Sequence, residues 1–233
     1  MSPLNFRNLT PPKEIKLFRN LPASEIEHIL SAARTRSFSR NTIITQQAEP
    51  AEQLFLLWRG RTRYFFETRS GKKLLLRWII PGQAFGISTL FAGSSGYLVS
   101  VEAVQDSIAL TWTESTIRGL AKRFPLLLEN ALRISSDYLS WYVTAHAGLT
   151  SQTASERLAN VLVGLAEVEG RDFPPGVELD VTNEELASAA NISPYTASRA
   201  LSKWQEDGII RRRRGKVVLR APQRLFSQLN GSH

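Results

Sequence analysis

The chain has 233 residues, of which 42% are hydrophobic and none is cysteine, and its formal net charge is +8. The lack of cysteine excludes disulfides, thiolate catalysis, and cysteine-ligated iron–sulfur or zinc sites. The excess of positive charge favours an anionic partner. The sequence shows neither a secretory signal nor an apolar run of about 18 residues, so we expect a cytoplasmic protein that does not bind a membrane.

The first half of the chain predicts short helices followed by a β structure. Residues 14–33 predict two short helices, the second of which starts after Pro22. From about Thr35 to Glu114, segments rich in Ile, Leu, Phe and Trp alternate with turn sequences at Gly60, Ser70-Gly71, Pro81-Gly82 and Ser94-Ser95-Gly96. This regular spacing predicts an antiparallel β barrel or roll, and a helix is predicted after it at 116–122.

Residues 125–149 form the longest uninterrupted helical pattern. Its seam positions are spaced alternately by four and three residues, as in a coiled coil; they are Leu128, Leu132, Ser135, Leu139, Tyr142, His146 and Leu149. Such a seam packs either on its own domain or on a second copy of the chain. We expect a homodimer with this seam at its interface.

The third part of the chain predicts a helix at 154–165, a turn at 172–176, a strand at 177–181 and then two helices joined tightly. Thr182 is a helix cap, and Glu185 three residues later completes a capping box. Asn191 tolerates the left-handed conformation of a tight turn. Ser193 and Pro194 are the typical N-cap and first residue of a second helix.

The second of these helices has two different faces. The buried stripe is predicted at Ala197, Ala200, Leu201 and Trp204. The opposite face carries mainly small, hydroxylated or cationic side chains, which suit base edges and phosphates; they are Tyr195, Ser198, Arg199, Ser202 and Lys203. Helix, turn and helix in this order are typical of a DNA-reading unit.

A basic hairpin is predicted to follow. Ile209 and Ile210 open a strand, arginines 211–214 form a basic tip, Gly215 turns the chain and 216–219 return. Residues 193–224 hold nine Lys or Arg against two acids, a balance of +7, whereas residues 151–192 hold two Arg against eight acids, a balance of −6. The alternative, a solvated arginine loop, does not explain why this charge follows a capped helix pair. The predicted DNA contacts are Ser193, Tyr195, Thr196, Ser198, Arg199, Ser202, Lys203, Arg212, Arg213, Arg214 and Lys216.

The order of β roll, long helix and winged helix-turn-helix resembles the cyclic-AMP receptor protein / fumarate-nitrate reduction regulator (Crp/Fnr) superfamily. Supporting marks are residues 46–49, 57–60, 81–86 with Leu90-Phe91, and the recognition-helix segment 196–201. The resemblance implies an α+β fold with a cyclic-nucleotide-binding-like sensor at 1–124, a dimerisation helix at 125–150 and a DNA-binding domain at 151–233. It also implies a transcription regulator. Its partners would be a palindromic DNA operator, a second copy of the chain and RNA polymerase.

The sensor departs from the family pattern. Members that bind cyclic nucleotide carry a Gly-Glu pair for the ribose and an Arg-Ser pair for the phosphate. Here Ile87 follows Gly86, and Tyr97-Leu98 replaces Arg-Ser, so we do not expect cyclic AMP to act. Any effector pocket would involve Gly86, Ile87, Ser88, Thr89, Tyr97, Leu98 and Tyr142. Basic side chains elsewhere in the roll either form a substitute anion site or face solvent; they are Arg59, Arg61, Arg63 and Arg77.

The recognition helix departs as well. Tyr195 stands where many relatives have a Glu that contacts cytosine, and a phenol cannot accept from the cytosine amine as a carboxylate does. Arg199 is retained at the position that typically reads guanine bidentately. The resemblance therefore implies a palindromic site with one guanine per half-site and a changed preference beside it.

No cofactor and no metal site is expected, and the effector is unassigned. A haem sensor would use a histidine, and only His28, His146 and His233 are available. His146 lies on the seam, where the same residue of a second copy would be nearby. This pair of imidazoles either responds to protonation or coordinates a metal, or His146 is a polar residue that fixes the register of the two helices. The alternatives are a constitutive regulator with a degenerate sensor, or a haem- or nitrogen-oxide-responsive one. An enzyme built on the barrel is not expected, because residues 35–114 contain no histidine.

Overall fold

The computed structural model describes residues 10–69, 71, 73–91, 96–169, 171–173 and 176–225. Two compact units divide the chain, Met1–Trp141 and Tyr142–His233. The division falls inside the longest helix, α3 (Pro125–Ser151). In the described part of the chain, no helix is both long and apolar enough to span a bilayer.

The first unit is an antiparallel β roll with short helices around it. A 3-10 turn at Lys16–Phe18 and helix α1 (Ala23–Ser31) precede the strands. The strands are β1 (Arg34–Phe38), β2 (Ile43–Thr45), β3 (Gln53–Arg59), β4 (Thr62–Glu67), β5 (Lys73–Ile79), β6 (Ala84–Phe85), β7 (Ser100–Ala103) and β8 (Ser107–Thr113), and helix α2 (Glu114–Arg123) follows. They form two sheets in the orders β1-β8-β3-β6 and β2-β7-β4-β5. The predicted roll is therefore confirmed.

Strand β3 explains why this region reads as a continuous apolar run. Leu54 and Leu56 lie in the core beneath α1, α2 and α3, whereas Phe55 and Leu57 lie in the core between the two sheets. A strand covered on both faces loses the alternation of apolar and polar residues. Phe55 stacks on Phe85 of β6 with ring centroids 4.7 Å apart, so aromatic side chains occupy the space between the sheets.

Two buried polar side chains fasten the helices to the roll. The Trp112 indole Nε1 donates to the carbonyl of Ile29 at the end of α1, over 2.8 Å. Asn130 of α3 donates through Nδ2 to the carbonyls of Leu17 and Arg19, over 3.1 and 2.8 Å. All three bonds satisfy carbonyls that a helix or turn end leaves without an internal partner.

Helix α3 has one buried and one exposed apolar face. Leu127, Ala131 and Ile134 are 0–6% exposed and belong to the core beneath the roll. The exposed face carries large apolar side chains along the predicted seam, namely Leu128, Leu132, Leu139, Tyr142 and Leu149, which are 36–64% exposed. His146 is also exposed, while Ser135 is partly buried and donates to the carbonyl of Ala131. The helix therefore has more apolar surface than its own unit covers.

The second unit contains helices α4 (Ala154–Glu169), α5 (Asn183–Ala189) and α6 (Pro194–Glu206). Its strands are β9 (Arg171–Phe173), β10 (Gly176–Leu179), β11 (Ile210–Arg213) and β12 (Lys216–Leu219), in the order β11-β12-β10-β9. Two predicted boundaries were wrong here. Residues 172 and 173, predicted within the turn at 172–176, lie in β9, which pairs with β10, and β10 runs over 176–179 instead of 177–181. The centre of the predicted turn, at 174–175, lies outside the described residues.

The arginine run also differs from the prediction. Arg211, Arg212 and Arg213 lie within strand β11, paired with β12, and only Arg214 and Gly215 form the turn. Alternation along the strand leaves Arg211 and Arg213 exposed and Arg212 partly buried. The basic residues thus lie along an edge strand, where their side chains point alternately to the two faces.

Candidate nucleic-acid interface

The turn between α5 and α6 forms as its sequence predicts. Thr182 caps α5 by accepting from the Glu185 amide over 3.2 Å, and the Glu185 carboxylate accepts from the Thr182 amide over 2.9 Å. Asn191 adopts φ 49°, in the left-handed region. The Ile192 amide donates back to the Ala187 carbonyl over 3.0 Å, which closes the turn. The capping box and the Asn turn are therefore confirmed.

The start of α6 uses two of the predicted DNA contacts internally. The Ser193 hydroxyl accepts from the Thr196 amide over 3.0 Å and lies 2.8 Å from the Thr196 hydroxyl. Pro194 occupies the first turn, where its missing N–H costs nothing. These two hydroxyls hold the helix end, so their capacity to bond DNA is reduced.

The outward face of α6 is led by Tyr195, which is 71% exposed, and by exposed Arg199 and Lys203. Ser198 and Ser202 lie between them and are partly buried. The Arg199 guanidinium carbon lies 5.9 Å from the centre of the Tyr195 ring, a cation–π contact between residues one turn apart. The opposite stripe of Ala197, Leu201 and Trp204 is 0–3% exposed, while Ala200 is only partly buried.

Arg212 connects the wing to the recognition helix. Its amide donates to the Gln205 side-chain oxygen over 3.0 Å, and its Nη1 donates to the Ser202 hydroxyl over 3.2 Å. These bonds place a guanidinium beside the outward face of α6. The basic strand and the helix therefore form one continuous polar surface.

Lys216 has a different environment from the one predicted. Its ammonium forms ion pairs with Glu178 and with Asp180, the latter over 3.2 Å. The hydrogen bonds that its ammonium donates to these two carboxylates raise the pKa of Lys216 above its ordinary value. Its positive charge is therefore locally compensated by two acidic side chains.

Arg157 is a functional residue that sequence reasoning missed. Its guanidinium donates to the carbonyls of Ala190 (2.9 Å), Gln152 (2.7 Å) and Asn191 (3.4 Å). It thereby joins Gln152, two residues before α4, to the turn that precedes α6. An arginine in the first turn of α4 was the only local signal, because its acceptors Ala190 and Asn191 are 33 and 34 residues away.

The predicted effector residues are only partly brought together. Gly86, Thr89 and Tyr97 meet around the backbone of Gln53. Ile87 is 7% exposed and belongs to the core beneath the roll, whereas Leu98 is 76% exposed. Ser88 is partly buried, and Tyr142 lies on α3 in the other compact unit. The seven residues therefore do not line one cavity within the first unit.

Tyr97 fills the space beside Gly86. Its hydroxyl donates to the Gln53 carbonyl over 3.0 Å and accepts from the Gln53 amide over 3.1 Å, while the Thr89 hydroxyl donates to the same carbonyl over 2.9 Å. Gly86 has φ 74°, and a Cβ there would lie 2.6 Å from the Gln53 oxygen and 3.2 Å from Cε1 of Tyr97. Burial raises the pKa of Tyr97. A cyclic nucleotide needs a carboxylate and a guanidinium at these positions. Here they are replaced by the apolar side chain of Ile87 and by the Tyr97 phenol, whose hydroxyl is bonded to the Gln53 backbone, so these residues do not fit that ligand.

Two of the four basic side chains of the roll already have interaction partners. Arg63 donates through Nε and Nη2 to Glu102, over 2.9 and 2.7 Å, and this carboxylate is 6% exposed. The Arg77 guanidinium lies 5.0 Å from the centre of the Tyr138 ring. Both are thus engaged within the first unit.

The histidines are equally dispersed. His28 lies 3.2 Å from Arg123 and packs edge-on against Phe124, and His146 stacks on Tyr142 at 6.3 Å in the other unit. His233 lies outside the described residues. Within the described ranges, no three His, Cys, Asp or Glu side chains are grouped as a metal site.

Two family models match most of the chain. Residues 35–124 match the cyclic nucleotide-binding domain, and residues 156–227 match the Crp-like helix-turn-helix domain. The cyclic AMP receptor protein of Thermus thermophilus is 28% identical over 205 residues, which cover 88% of this chain and 92% of the relative. The CRP-like protein Clp of Xanthomonas euvesicatoria is 25% identical over 227 residues, covering 91% and 93%.

Solved structures show the same fold. The c-di-GMP responsive global regulator CLP of Xanthomonas campestris superposes with a TM-score of 0.74 at 24% identity, covering 85% of this chain and 99% of that one. A CooA mutant from Carboxydothermus hydrogenoformans has a TM-score of 0.72 at 22% identity, covering 94% and 97%. Roll, long helix and helix-turn-helix agree with these matches along nearly the whole length, and the chain belongs to the Crp/Fnr superfamily of DNA-binding transcription regulators.

Proposed function

We propose that this regulator is a homodimer that reads a palindromic operator with helix α6 in the major groove. The observation that carries the proposal is the outward face of α6, on which exposed Arg199 and Lys203 adjoin the arginines of β11. An α-helix fits the major groove, where an arginine bonds guanine O6 and N7 bidentately. We assign one guanine per half-site to Arg199.

The remaining basic residues divide into two groups. Arg211, Arg212, Arg213 and Arg214 are assigned to phosphates, because they lie along the edge strand and turn beside α6. Lys216 is left out of this set, since two carboxylates already hold its ammonium. Phosphate contacts position the protein without specifying sequence. Each contact makes the slope of log K against log salt more negative by about 0.9, so binding weakens more steeply as salt rises.

The assignment of Arg199 is tested by comparing two substitutions on the same face. An operator is first selected from a randomised duplex library, and affinities for operator and random DNA are then measured at one salt concentration. Arg199→Ala should remove the preference for guanine, a loss of about 5- to 150-fold for each half-site, corresponding to ~1–3 kcal/mol each. Lys203→Ala should weaken both duplexes similarly. Equal loss on both duplexes for Arg199→Ala would show that Arg199 reads no base.

The homodimer is supported by the exposed seam of α3. Five large side chains at coiled-coil spacing are 36–64% exposed, while the opposite face of the helix is packed in its own unit. A second copy covers such a stripe in an isologous contact, with the same residues on both sides. We propose residues 125–150 as this dimerisation helix, between a sensor at 1–124 and a DNA-binding domain at 151–233.

Leu139→Glu tests the seam, because Leu139 is 64% exposed and so unimportant to the fold of one copy. Sedimentation equilibrium should show a shift from dimer to monomer. Leu98→Glu is the matched control, since Leu98 is 76% exposed on the roll and away from α3. A Leu139→Glu protein that stays as dimeric as Leu98→Glu would contradict the assignment.

For the sensor we propose that cyclic AMP is not the effector and that the roll acts without a bound ligand, as in a constitutive regulator. The support is Tyr97, whose hydroxyl bonds the Gln53 backbone twice beside Gly86. Titration calorimetry should show no heat of binding with cyclic AMP, and a metabolite panel should not raise the thermal unfolding temperature. A ligand that stabilises the wild-type protein would refute the constitutive role.

We further propose a cytoplasmic location, RNA polymerase as a partner and no enzymatic activity. These follow from the relatives, which are transcription regulators. Co-purification of the operator-bound protein with RNA polymerase tests the partner. Release of polymerase when the DNA is digested would show an indirect association only.

A further inference from the structure

Tyr195 presents an unusual group to the DNA. It is the second residue of α6 and its side chain is 71% exposed. Within the described residues, its one recorded side-chain interaction is the contact of its ring with the Arg199 guanidinium. Most of the ring surface therefore remains open on the same face as the arginine assigned to guanine.

We propose that Tyr195 reads a thymine through its 5-methyl group, beside the guanine read by Arg199. This inference rests on the proposed function of α6. The major groove edge of a base pair carries hydrogen-bond donors and acceptors, and the only apolar group among them is the thymine methyl. An exposed aromatic ring gains from covering that methyl, because contact removes apolar surface of both partners from water.

The spacing of the two side chains fixes which bases they reach. Residues four apart on an α-helix are about 6 Å apart along its axis, and successive bases on one strand are about 3.4 Å apart. Tyr195 and Arg199 therefore reach bases one or two steps from each other. The inference specifies a thymine within two steps of the guanine in each half-site.

The contact between the two side chains gives Tyr195 a second effect. A guanidinium stacked on an aromatic ring keeps its plane and its outer N–H groups available. The ring, 5.9 Å from the guanidinium carbon, limits the rotamers of Arg199 before DNA arrives. Thymine contact and guanine contact thus depend on one orientation of the tyrosine.

Replacing thymine by deoxyuridine tests the methyl contact, because the two bases differ only by that group. Operator duplexes carry this replacement one position at a time, in both half-sites, and affinity is measured by fluorescence anisotropy at fixed salt. One methylene-sized apolar group corresponds to about a fourfold change in affinity per half-site, or roughly 15-fold for both. One thymine near the guanine should show this penalty with the wild-type protein.

Substitutions of Tyr195 then assign the penalty to its ring. Tyr195→Phe should keep it, and Tyr195→Ala should abolish it. The inference is overturned if no thymine within two steps of the guanine is sensitive, if Tyr195→Ala keeps the full penalty, or if Tyr195→Phe loses it. The last result would assign the hydroxyl, bonded to a base or phosphate, as the reading group.

Arg199→Ala separates this inference from the proposed function. If the wild-type protein selects an operator and Arg199→Ala loses guanine preference, the function of α6 stands whatever deoxyuridine does. If no operator is selected at all, the proposed function falls and the thymine inference with it. Circular dichroism of each variant should match the wild type, since both side chains are exposed.

Discussion

Arg157→Ala is expected to loosen the helix-turn-helix without touching DNA. In the folded protein the guanidinium holds the carbonyls of Gln152 and Ala190 at 2.7 and 2.9 Å, and that of Asn191 at 3.4 Å. Ala190 is 2% exposed, so water reaches its carbonyl poorly once the arginine is removed. The turn that sets the position of α6 therefore loses its side-chain support.

The magnitude follows from these three contacts. A hydrogen bond from a charged donor contributes about 1.5–3 kcal/mol, and the 3.4 Å contact contributes little because of its length. The Gln152 and Asn191 carbonyls recover part of the loss from solvent, since both residues are at least partly exposed. The buried Ala190 carbonyl does not, so we expect a local destabilisation of about 2–3 kcal/mol, or 30- to 150-fold in an opening equilibrium.

Native-state hydrogen exchange measures this opening at the amides of α5 and α6. It avoids whole-chain unfolding, which two compact units would make non-two-state. Arg118→Ala is the matched control, because Arg118 donates to two carbonyls, those of Thr89 and Phe91, in the first unit. Arg157→Lys should show a loss of protection in α5 and α6 between that of Arg157→Ala and none. Protection of α5 and α6 within about threefold of wild type in Arg157→Ala would refute the reasoning.

Three further changes have defined outcomes. Tyr97→Phe removes both hydrogen bonds to Gln53 and should lower the protection of the Gln53 amide by ~1–2 kcal/mol, and unchanged exchange there would contradict the bridging role. Thr182→Ala removes the cap of α5 and should destabilise its first turn by about 1 kcal/mol, measured by the same exchange experiment. The raised pKa of Lys216 means that its ion pairs stabilise the fold fully at neutral pH and up to about 10.5, and that this contribution disappears as pH rises through the folded-state pKa. Lys216→Met should flatten the stability profile of the second unit above that pH, as followed by the transition of that unit in urea unfolding.

The helix-turn-helix was predictable because its signals are local. The Thr182–Glu185 box, the Asn191 turn and the Ser193-Pro194 start each depend on residues no more than three positions apart. The structure places every one of these where the sequence predicts. The exposed seam of α3 was predictable for the same reason, because residues spaced by three and four positions lie on one face of a helix.

What the sequence did not reveal depends on distant residues. Lys216 was predicted to contact DNA, and its ion-pair partner Glu178 is 38 residues away on a neighbouring strand. Strand β9 has three residues and exists through its pairing with β10, which local pattern does not reveal. The Tyr97 hydroxyl bonds the backbone of Gln53, 44 residues away in the sequence. The sequence therefore shows that the arginine of the family's Arg-Ser pair is missing, but not what its replacement contacts.

Two of the four positions that depart from the family pattern hold tyrosine, and the structure gives these two side chains opposite environments. Tyr97 is partly buried and spends its hydroxyl on the Gln53 backbone, whereas Tyr195 is 71% exposed and presents its ring outward. One tyrosine thus fills the place of a ligand group, and the other is the residue that we propose to contact the operator. If the roll has no ligand, the population of DNA-competent protein depends on dimerisation, which mass action ties to protein concentration. Dimerisation through the exposed seam of α3 is then the regulated step. Leu139→Glu should therefore reduce operator binding far more at low than at high protein concentration.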